Sequence, residues 1–529
     1  MALGYFGLVL HGHIPYCKKS GVWPAGEIWL NEAILESYIP LLNVLRDLKE
    51  KGIKPAITVN ITPILAEQLA DEYMKQRFTE YLEEWINRAK SDVKRFENHQ
   101  DRKVIAEMYL IKFKKVQQTY YDNYFGDILG TFKWLQEERI VELIACGATH
   151  GFLPLIESDS GIFSQIQIGV DTYRKYFNKD PSGFWLPECA YRPKEVKNGK
   201  VRESLDYWLN NSGIKYFFVD THGIISAEMI EQKNDIGLDT NFGYKLETGV
   251  KVFGRNENTS RQVWDAKIGY PGDPFYREFH RKDPESGLNY WRITGKEVDY
   301  DKKLLYSPFD AKTTVENQAN HFIALLNQEI PLFREIYKKK GIILSPYDFE
   351  LFGHWWMEGI EWLGLVLELI YEHENLDTIT ISDYVSQYED QFSIIKMGQS
   401  SWGEGGHYQV WKNEEQIWIW PYINSSIIEF EKVLDKNPNP EEWGLRILKQ
   451  IARELLLMEG SDWPFLLYTE QAKEYANQRF HNHHQRFNKL LWAAKNLNDK
   501  NRISQSDLKE MESIDTCFQD INLEYFRKK

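Results

Sequence analysis

Two carboxylates stand where chemistry is usually placed. Glu188 follows Phe184-Trp185-Leu186-Pro187, a short apolar run stopped by a proline, since proline cannot donate to a sheet ladder. Asp348 follows a second apolar run that begins at Ile342, with Glu350 and His354 just beyond it. His11 and His13, His150, Asp220 with His222, and Arg255 also sit at the ends of apolar runs. One such histidine is more often structural than catalytic, and Glu188 alone could equally pair with Arg192. Their recurrence at successive strand ends is what points to a site. Two chemistries use such a set. In retaining glycoside cleavage, a carboxylate pair about 5–5.5 Å apart divides the work. One attacks the anomeric carbon, and the other, its pKa raised, protonates the leaving oxygen. In a metallohydrolase, His11, His13 and His150 would hold a zinc ion that activates water. The aromatics around these groups (Trp185, Tyr191, Trp264, Trp355, Trp356, Trp402 and Trp411) favour the first chemistry, because ring faces stack on sugars. For any single ring, core packing explains it as well.

The elements that must position these groups recur in one grammar: a short apolar strand, polar residues at its end, then a helix. Strands are expected at 5–10, 56–61, 140–146, 184–186, 216–219, 250–253 and 342–344, with a last short one at 378–381. This is an α/β layout with a parallel sheet, and six or more units around one site suggest a barrel. Between the second and third strands, apolar residues at Leu65, Leu69, Tyr73, Phe78, Leu82, Trp85 and Ile86 keep helical spacing. The expected division is a barrel over residues 1–395, a helical subdomain inserted at 64–137, and a C-terminal helical domain over 396–529. His481, His483 and His484 have no carboxylate at ligand spacing in the sequence and read as a surface helix.

A net charge of −14 argues against a general nucleic-acid binder and against an anionic membrane surface. No run approaches the ~18 apolar residues of a membrane span. The apolar start, residues 1–10, has no basic leader and reads as a first strand, not a signal peptide. Cys17, Cys146, Cys189 and Cys517 are scattered with no CxxC pair, which favours a reducing, cytoplasmic compartment.

Five stretches in order resemble the signature regions of glycoside hydrolase family 57. They are His11-Gly12-His13-Ile14-Pro15, Gly147-Ala148-Thr149-His150-Gly151, Trp185-Leu186-Pro187-Glu188-Cys189, Tyr347-Asp348-Phe349-Glu350 through His354-Trp355-Trp356, and Thr380-Ile381-Ser382-Asp383-Tyr384. Within that family the chain is most similar to the 1,4-alpha-glucan branching enzymes. The likeness spans nearly the whole chain, including Phe253-Gly254-Arg255, Ser260-Arg261-Gln262-Val263-Trp264 and the loop from Trp402 to Trp411.

The resemblance implies an incomplete (β/α)7 barrel with a helical insertion and a C-terminal helical domain. It implies retaining chemistry on alpha-1,4-glucans without cofactor or metal, with Glu188 as nucleophile and Asp348 as acid/base. His11, His13, His150 and His354 match positions lining the donor site, and Trp29, Trp264, Trp402 and Trp411 match tryptophans of the glucan groove. Asp220, His222, Arg255, Arg261 and Trp355 are further candidates for substrate contact. The partner expected is an alpha-glucan such as amylose, amylopectin or glycogen, not nucleic acid or membrane. One segment departs from the family. Branching enzymes carry, after the fifth strand, a loop whose tyrosine closes over the site; here residues 224–249 form a shorter segment with Tyr244 alone. An open site lets water intercept the glycosyl-enzyme, so a mainly hydrolytic, alpha-amylase-like enzyme is the alternative. A zinc hydrolase and a glucan-binding protein without catalysis are the readings from other classes.

Overall fold

The computed structural model describes residues 2–197, 199–233 and 237–529. Seven parallel strands form its centre: β1 Gly4–Gly12, β2 Ile57–Ile61, β3 Val141–Cys146, β4 Gly183–Trp185, β5 Tyr216–Val219, β6 Lys251–Gly254 and β7 Ile342–Asp348. Their lateral order is β7-β1-β2-β3-β4-β5-β6, each pair in parallel register. No ladder joins β6 to β7; the Asn256 amide, just past β6, donates to the Leu344 carbonyl at 2.9 Å and nearly closes the ring. The result is an incomplete (β/α)7 barrel.

β7 runs four residues further than the expected 342–344, through Pro346 opposite Val9. Its ladder is with β1, so the missing N–H of Pro346 breaks no bond on the gap side. The extension sets Asp348 beside His11 in register. The strand expected at 378–381 is instead Leu376–Thr378, paired with the start of β1, and Ile381 opens a helix, Ile381–Gln387, capped by the Thr380 side chain. That helix plugs the end of the barrel where the strands begin. There Ser382 N–H and the Tyr216 hydroxyl donate to half-buried Glu142 at 3.0 and 2.5 Å. Above the plug the interior fills with Val9, Ile144, Trp185, Phe218, Phe253 and Leu344. At Gly183 a Cβ would lie 2.3 Å from the Tyr216 ring, so only glycine fits where β4 meets β5.

Between β2 and β3 lie the helices Pro63–Ala70, Glu72–Arg95, Gln100–Gln118 and Ile128–Glu137. Asp71 caps the second by accepting from Met74 N–H at 3.1 Å. Met74, Phe78, Leu82, Ile86 and Ala89 make its buried stripe, each large side chain contributing about 1.5–3 kcal/mol of burial. Tyr73 and Trp85 are only half-buried. The chain ends in helices including Ile419–Lys436, Glu442–Met458, Asp462–Thr469 and Lys473–Ala494. The surface-helix reading of the C-terminal histidines is corrected at His483, which is fully buried with Nδ1 2.8 Å from Glu454. It belongs to the stripe Ala476, Arg479, Phe480, His483, Phe487, Leu490, whose spacing outweighs the polarity of the histidine. Arg486 bridges Glu454 and the equally buried Asp515 at 3.0 and 2.9 Å.

Candidate active site

Strand alternation aims the site. Val9 faces the barrel interior, so His11, two residues on, faces it too; Ile342 and Leu344 set the same parity for Asp348. His11 lies flat on Trp185, ring centroids 4.4 Å apart. Asn60 on β2 donates to the carbonyls of Ile144 and Ala145, which leaves its Oδ1 to accept from His11 Nδ1 at 2.7 Å. His11 Nε2 is 3.1 Å from His150 Nε2, and His150 Nδ1 is 2.8 Å from the Ser461 hydroxyl. Ser461 donates to Glu188 Oε1 at 2.9 Å, and Trp402 Nε1 donates to Oε2 at 2.9 Å. His150 and Glu188 both hold positive φ, 56° and 61°. Such conformations cost free energy in non-glycine residues and concentrate at functional sites.

The ionisation states follow from this packing. Burial, with the charge of His13 next, pushes His11 well below the usual imidazole value; burial with His13 and His11 does the same to His150. At His13 burial also opposes charge, but Asp462, whose Oδ1 is 3.0 Å from Nε2, outweighs it and the pKa is raised. Burial raises Glu188, while the bonds from Trp402 and Ser461 hold it back. Asp348 is pushed up to about 8 by burial and then by the charges of Glu350 and Glu188. Glu350 accepts from His13 N–H at 3.0 Å and from the Tyr38 hydroxyl. The two carboxyls that the sequence singled out therefore meet different surroundings: Glu188 holds two hydrogen-bond donors, and Asp348 faces two further acids. That asymmetry suits one group acting as a nucleophile and the other as an acid.

The zinc alternative has less support in this geometry. His13 stacks on His150 at 4.1 Å, so their ring nitrogens lie in parallel planes, and His11, His13 and His150 each have both ring nitrogens engaged by Asn60, Thr62, Asp462, Ser461 or one another.

The other candidates divide. Asp220 and Arg255 form a two-pronged pair at 2.9 and 3.0 Å beside this cluster, and His222 Nε2 donates to the Gly406 carbonyl at 2.7 Å, joining β5 to the Trp402 loop. Trp264 and Trp355 are exposed, as is the Arg261 side chain near Asp265. Trp29 packs edge-on against Tyr475. His354 lies apart, its Nδ1 2.6 Å from Glu36 in a cavity with Phe279 and Lys282. Two expectations are corrected. Trp411 is 1% exposed and stacked on Phe152 at 4.5 Å, a core residue with no face for a sugar. Tyr244 is buried near the plugged end, with its hydroxyl taken by Asp239 N–H and the Gly237 carbonyl. Residues 234–236 of the same segment lie outside the described residues.

The sequence reading left out Asn60, Thr62, Tyr38, Ser461 and Asp462. The last two sit in Gly460-Ser461-Asp462-Trp463, Ser461 in the break after helix Glu442–Met458 and Asp462 as the first residue of helix Asp462–Thr469. In sequence this is an ordinary Gly-Ser helix break; only the return of the chain onto β1 and β3 gives it meaning.

Comparison with known proteins follows the same lines. The sequence pattern of glycosyl hydrolase family 57 matches residues 7–397, and that of the 1,4-alpha-glucan branching enzyme C-terminal domain matches residues 423–526. The 1,4-alpha-glucan branching enzyme of Thermococcus kodakarensis is 42% identical over 523 residues, 97% of this chain and 76% of that protein. The crystal structure of the branching enzyme of this type from Pyrococcus horikoshii superposes with a TM-score of 0.92 at 40% identity, covering 100% of this chain and 97% of that one. The alpha-amylase AmyC of Thermotoga maritima follows with a TM-score of 0.88 at 31% identity, with all of both chains covered. From Gly7 through Met397, on the barrel that carries both carboxylates, this chain belongs to glycosyl hydrolase family 57.

Proposed function

We propose that the chain is a 1,4-alpha-glucan branching enzyme, which cleaves an alpha-1,4 link and rejoins the freed arm as an alpha-1,6 branch. Glu188 attacks the anomeric carbon and forms a glycosyl-enzyme; Asp348 protonates the departing oxygen. In the second half Asp348 takes the proton of an acceptor 6-hydroxyl. The observation that carries this reading is the unequal setting of the two carboxyls. Asp348, at about 8, keeps its proton at neutral pH, while Trp402 and Ser461 donate to Glu188. The branching-enzyme C-terminal match and the full-length relatives support transfer over the amylase alternative. A cytoplasmic setting rests on four cysteines that are all buried and unpaired; among the described residues no helix is long and apolar enough to cross a membrane.

One observation keeps hydrolysis in play. Tyr244, the single tyrosine of residues 224–249, is anchored in the core, so it does not cover the glycosyl-enzyme. The deciding experiment incubates the protein with amylose and follows alpha-1,6 linkages and reducing ends together. Branches exceeding reducing ends support the proposal; reducing ends rising alone make the protein a hydrolase. Glu188→Gln should abolish both products, to below about 10⁻³ of the native rate, with the melting temperature kept.

A further inference from the structure

Two polar side chains beside the catalytic cluster, Gln165 and Glu459, are both 0% exposed and have no part in the chemistry proposed above. Gln165 lies in helix Asp159–Phe177, Glu459 directly follows helix Glu442–Met458, and Gln165 Nε2 donates to Glu459 Oε2 at 2.7 Å. We propose that this pair is a clamp that positions His150 and Ser461, and through them Glu188; this rests on the reading of Glu188 as the nucleophile.

The clamp is built on the turn that carries His150. Helix Asp159–Phe177 lies so close to the end of β3 that a Cβ on Gly169 would fall 1.9 Å from the Cys146 carbonyl oxygen. That approach sets Gln165, one turn earlier, against the residues that follow β3. The Gln165 carbonyl accepts from Ala148 N–H at 2.8 Å. Its side-chain Oε1 accepts from Thr149 N–H at 3.1 Å, and Nε2 donates to Thr149 Oγ1 at 2.8 Å as well as to Glu459. A backbone N–H can only donate, so the Thr149 amide fixes which way round the Gln165 side chain lies. The Thr149 hydroxyl donates in turn to the Leu456 carbonyl. Beyond the turn, Gly151 bridges Gly460, and Ser461 N–H donates to the His150 carbonyl at 3.0 Å. His150, at a φ of 56°, is thus gripped from both sides. A strained conformation persists where its surroundings over-determine it.

Stability alone does not account for Glu459. Its Oε1 is buried and meets no donor among the described residues, and burial pushes its pKa up to about 8. A buried carboxyl costs free energy that an apolar side chain of the same size would not. What Glu459 does is accept the second N–H of Gln165, which holds the amide in the orientation that Thr149 needs. Two residues further on, Ser461 lies 2.8 Å from His150 Nδ1 and donates to Glu188 at 2.9 Å. Glu459 therefore reaches the nucleophile by two routes, through Gln165, Thr149 and His150, and along the backbone to Ser461. Being fully buried, it meets no substrate, which makes it a positioning residue.

The test compares Glu459→Met, Gln165→Met and Glu459→Gln in the full chain. Each methionine variant should lower kcat for cleavage of maltoheptaose about tenfold, the scale of a lost hydrogen bond, with KM kept within about twofold. Glu459→Gln retains an acceptor oxygen for Gln165 and should bring kcat back to within about twofold of the native value. Arg486→Met loosens the same helical region without a bond to the turn, so it should lower the melting temperature and leave kcat unchanged. A matching fall in its kcat would overturn the clamp, as would an unchanged kcat in both methionine variants. Glu459→Asp, which draws the carboxyl back by one methylene, keeps the test decisive if Glu459→Met does not fold. Hydrogen exchange judges the clamp apart from activity: peptides spanning residues 147–151 and 459–463 should exchange faster in the methionine variants than in the native protein. Equal exchange would overturn the clamp. A native protein that cleaves no alpha-glucan would sink the reading of function, and the exchange measurement would still decide the clamp.

Discussion

The Ser461 hydroxyl lies between His150 Nδ1 at 2.8 Å and Glu188 Oε1 at 2.9 Å. It completes a row of four hydrogen bonds, Asn60–His11–His150–Ser461–Glu188. With both histidines neutral and Glu188 ionised, the row has one proton from each histidine and one from the serine, three for four bonds. A proton on Glu188 makes the fourth. The row therefore ties the protonation of the proposed nucleophile to two buried imidazoles and to a residue of the C-terminal helical region.

Ser461→Ala should lower kcat by about 10–100-fold, since a hydrogen bond to a charged group is worth about 1.5–3 kcal/mol. The bond orients the carboxylate and makes no stack with a sugar, so KM for maltoheptaose should stay within about twofold. A rise in KM at constant kcat would show that Ser461 binds substrate and does not position Glu188.

Asp348, held at about 8 by burial and by the charges of Glu350 and Glu188, must be protonated to act as the acid. The alkaline limb of kcat/KM should accordingly fall near pH 8. Glu350→Gln removes the largest of the neighbouring charges that hold the proton on. Asp348 then loses its proton at lower pH, and the alkaline limb should move to more acidic pH. A limb that stays in place would mean that another group sets it.

The strand ends were legible because barrel strands are short apolar runs with polar residues after them, which placed Glu188, Asp348, His11, His13 and His150 on one rim. Local pattern cannot report which strand ends face which distant loop. Ser461 is 273 residues from Glu188 in sequence and Asp462 is 449 from His13, and neither sits in a patterned stretch. Trp411 misled for the opposite reason: a tryptophan beside a Gly-rich loop has the same local signature whether it faces sugar or Phe152. His483 reads as polar in sequence, yet its helical spacing puts it among Phe480, Phe487 and Leu490. Tyr244 carried the right side chain in the right segment, but it lies in Gly243–Lys245, which pairs antiparallel with β6 and turns it into the core.

Arg486 neutralises two carboxylates that are fully buried, Glu454 and Asp515. Arg486→Met keeps the apolar stem and removes the charge. Breaking a buried ion pair from one side costs about 3–5 kcal/mol, so a clear drop in melting temperature is expected at pH 7. The loss should lessen at pH 5, because Asp515, raised to about 6 by burial and by Glu454, can then take a proton. An equal loss at both values would indicate that the stem, not the charge, is what matters.

His13 and Asp462 join the first strand to the C-terminal helices through 3.0 Å, with side chains 10% and 15% exposed. His13 has its pKa raised in the folded state: burial opposes the charge, and the carboxylate of Asp462 more than compensates. A histidine raised in this way contributes its full stability below its unfolded value of about 6.5 and loses it as pH climbs through the folded value. Asp462→Asn preserves an acceptor oxygen and removes the charge. At pH 6 the variant should be less stable by about 1.5–3 kcal/mol, the worth of a charge-assisted bond, measured by urea unfolding. As pH climbs through the folded value His13 becomes neutral in both proteins, and the difference should shrink toward that of a neutral bond. A difference that stays undiminished however far the pH is raised would mean that Asp462 acts through the packing of helix Asp462–Thr469 and not through the imidazolium.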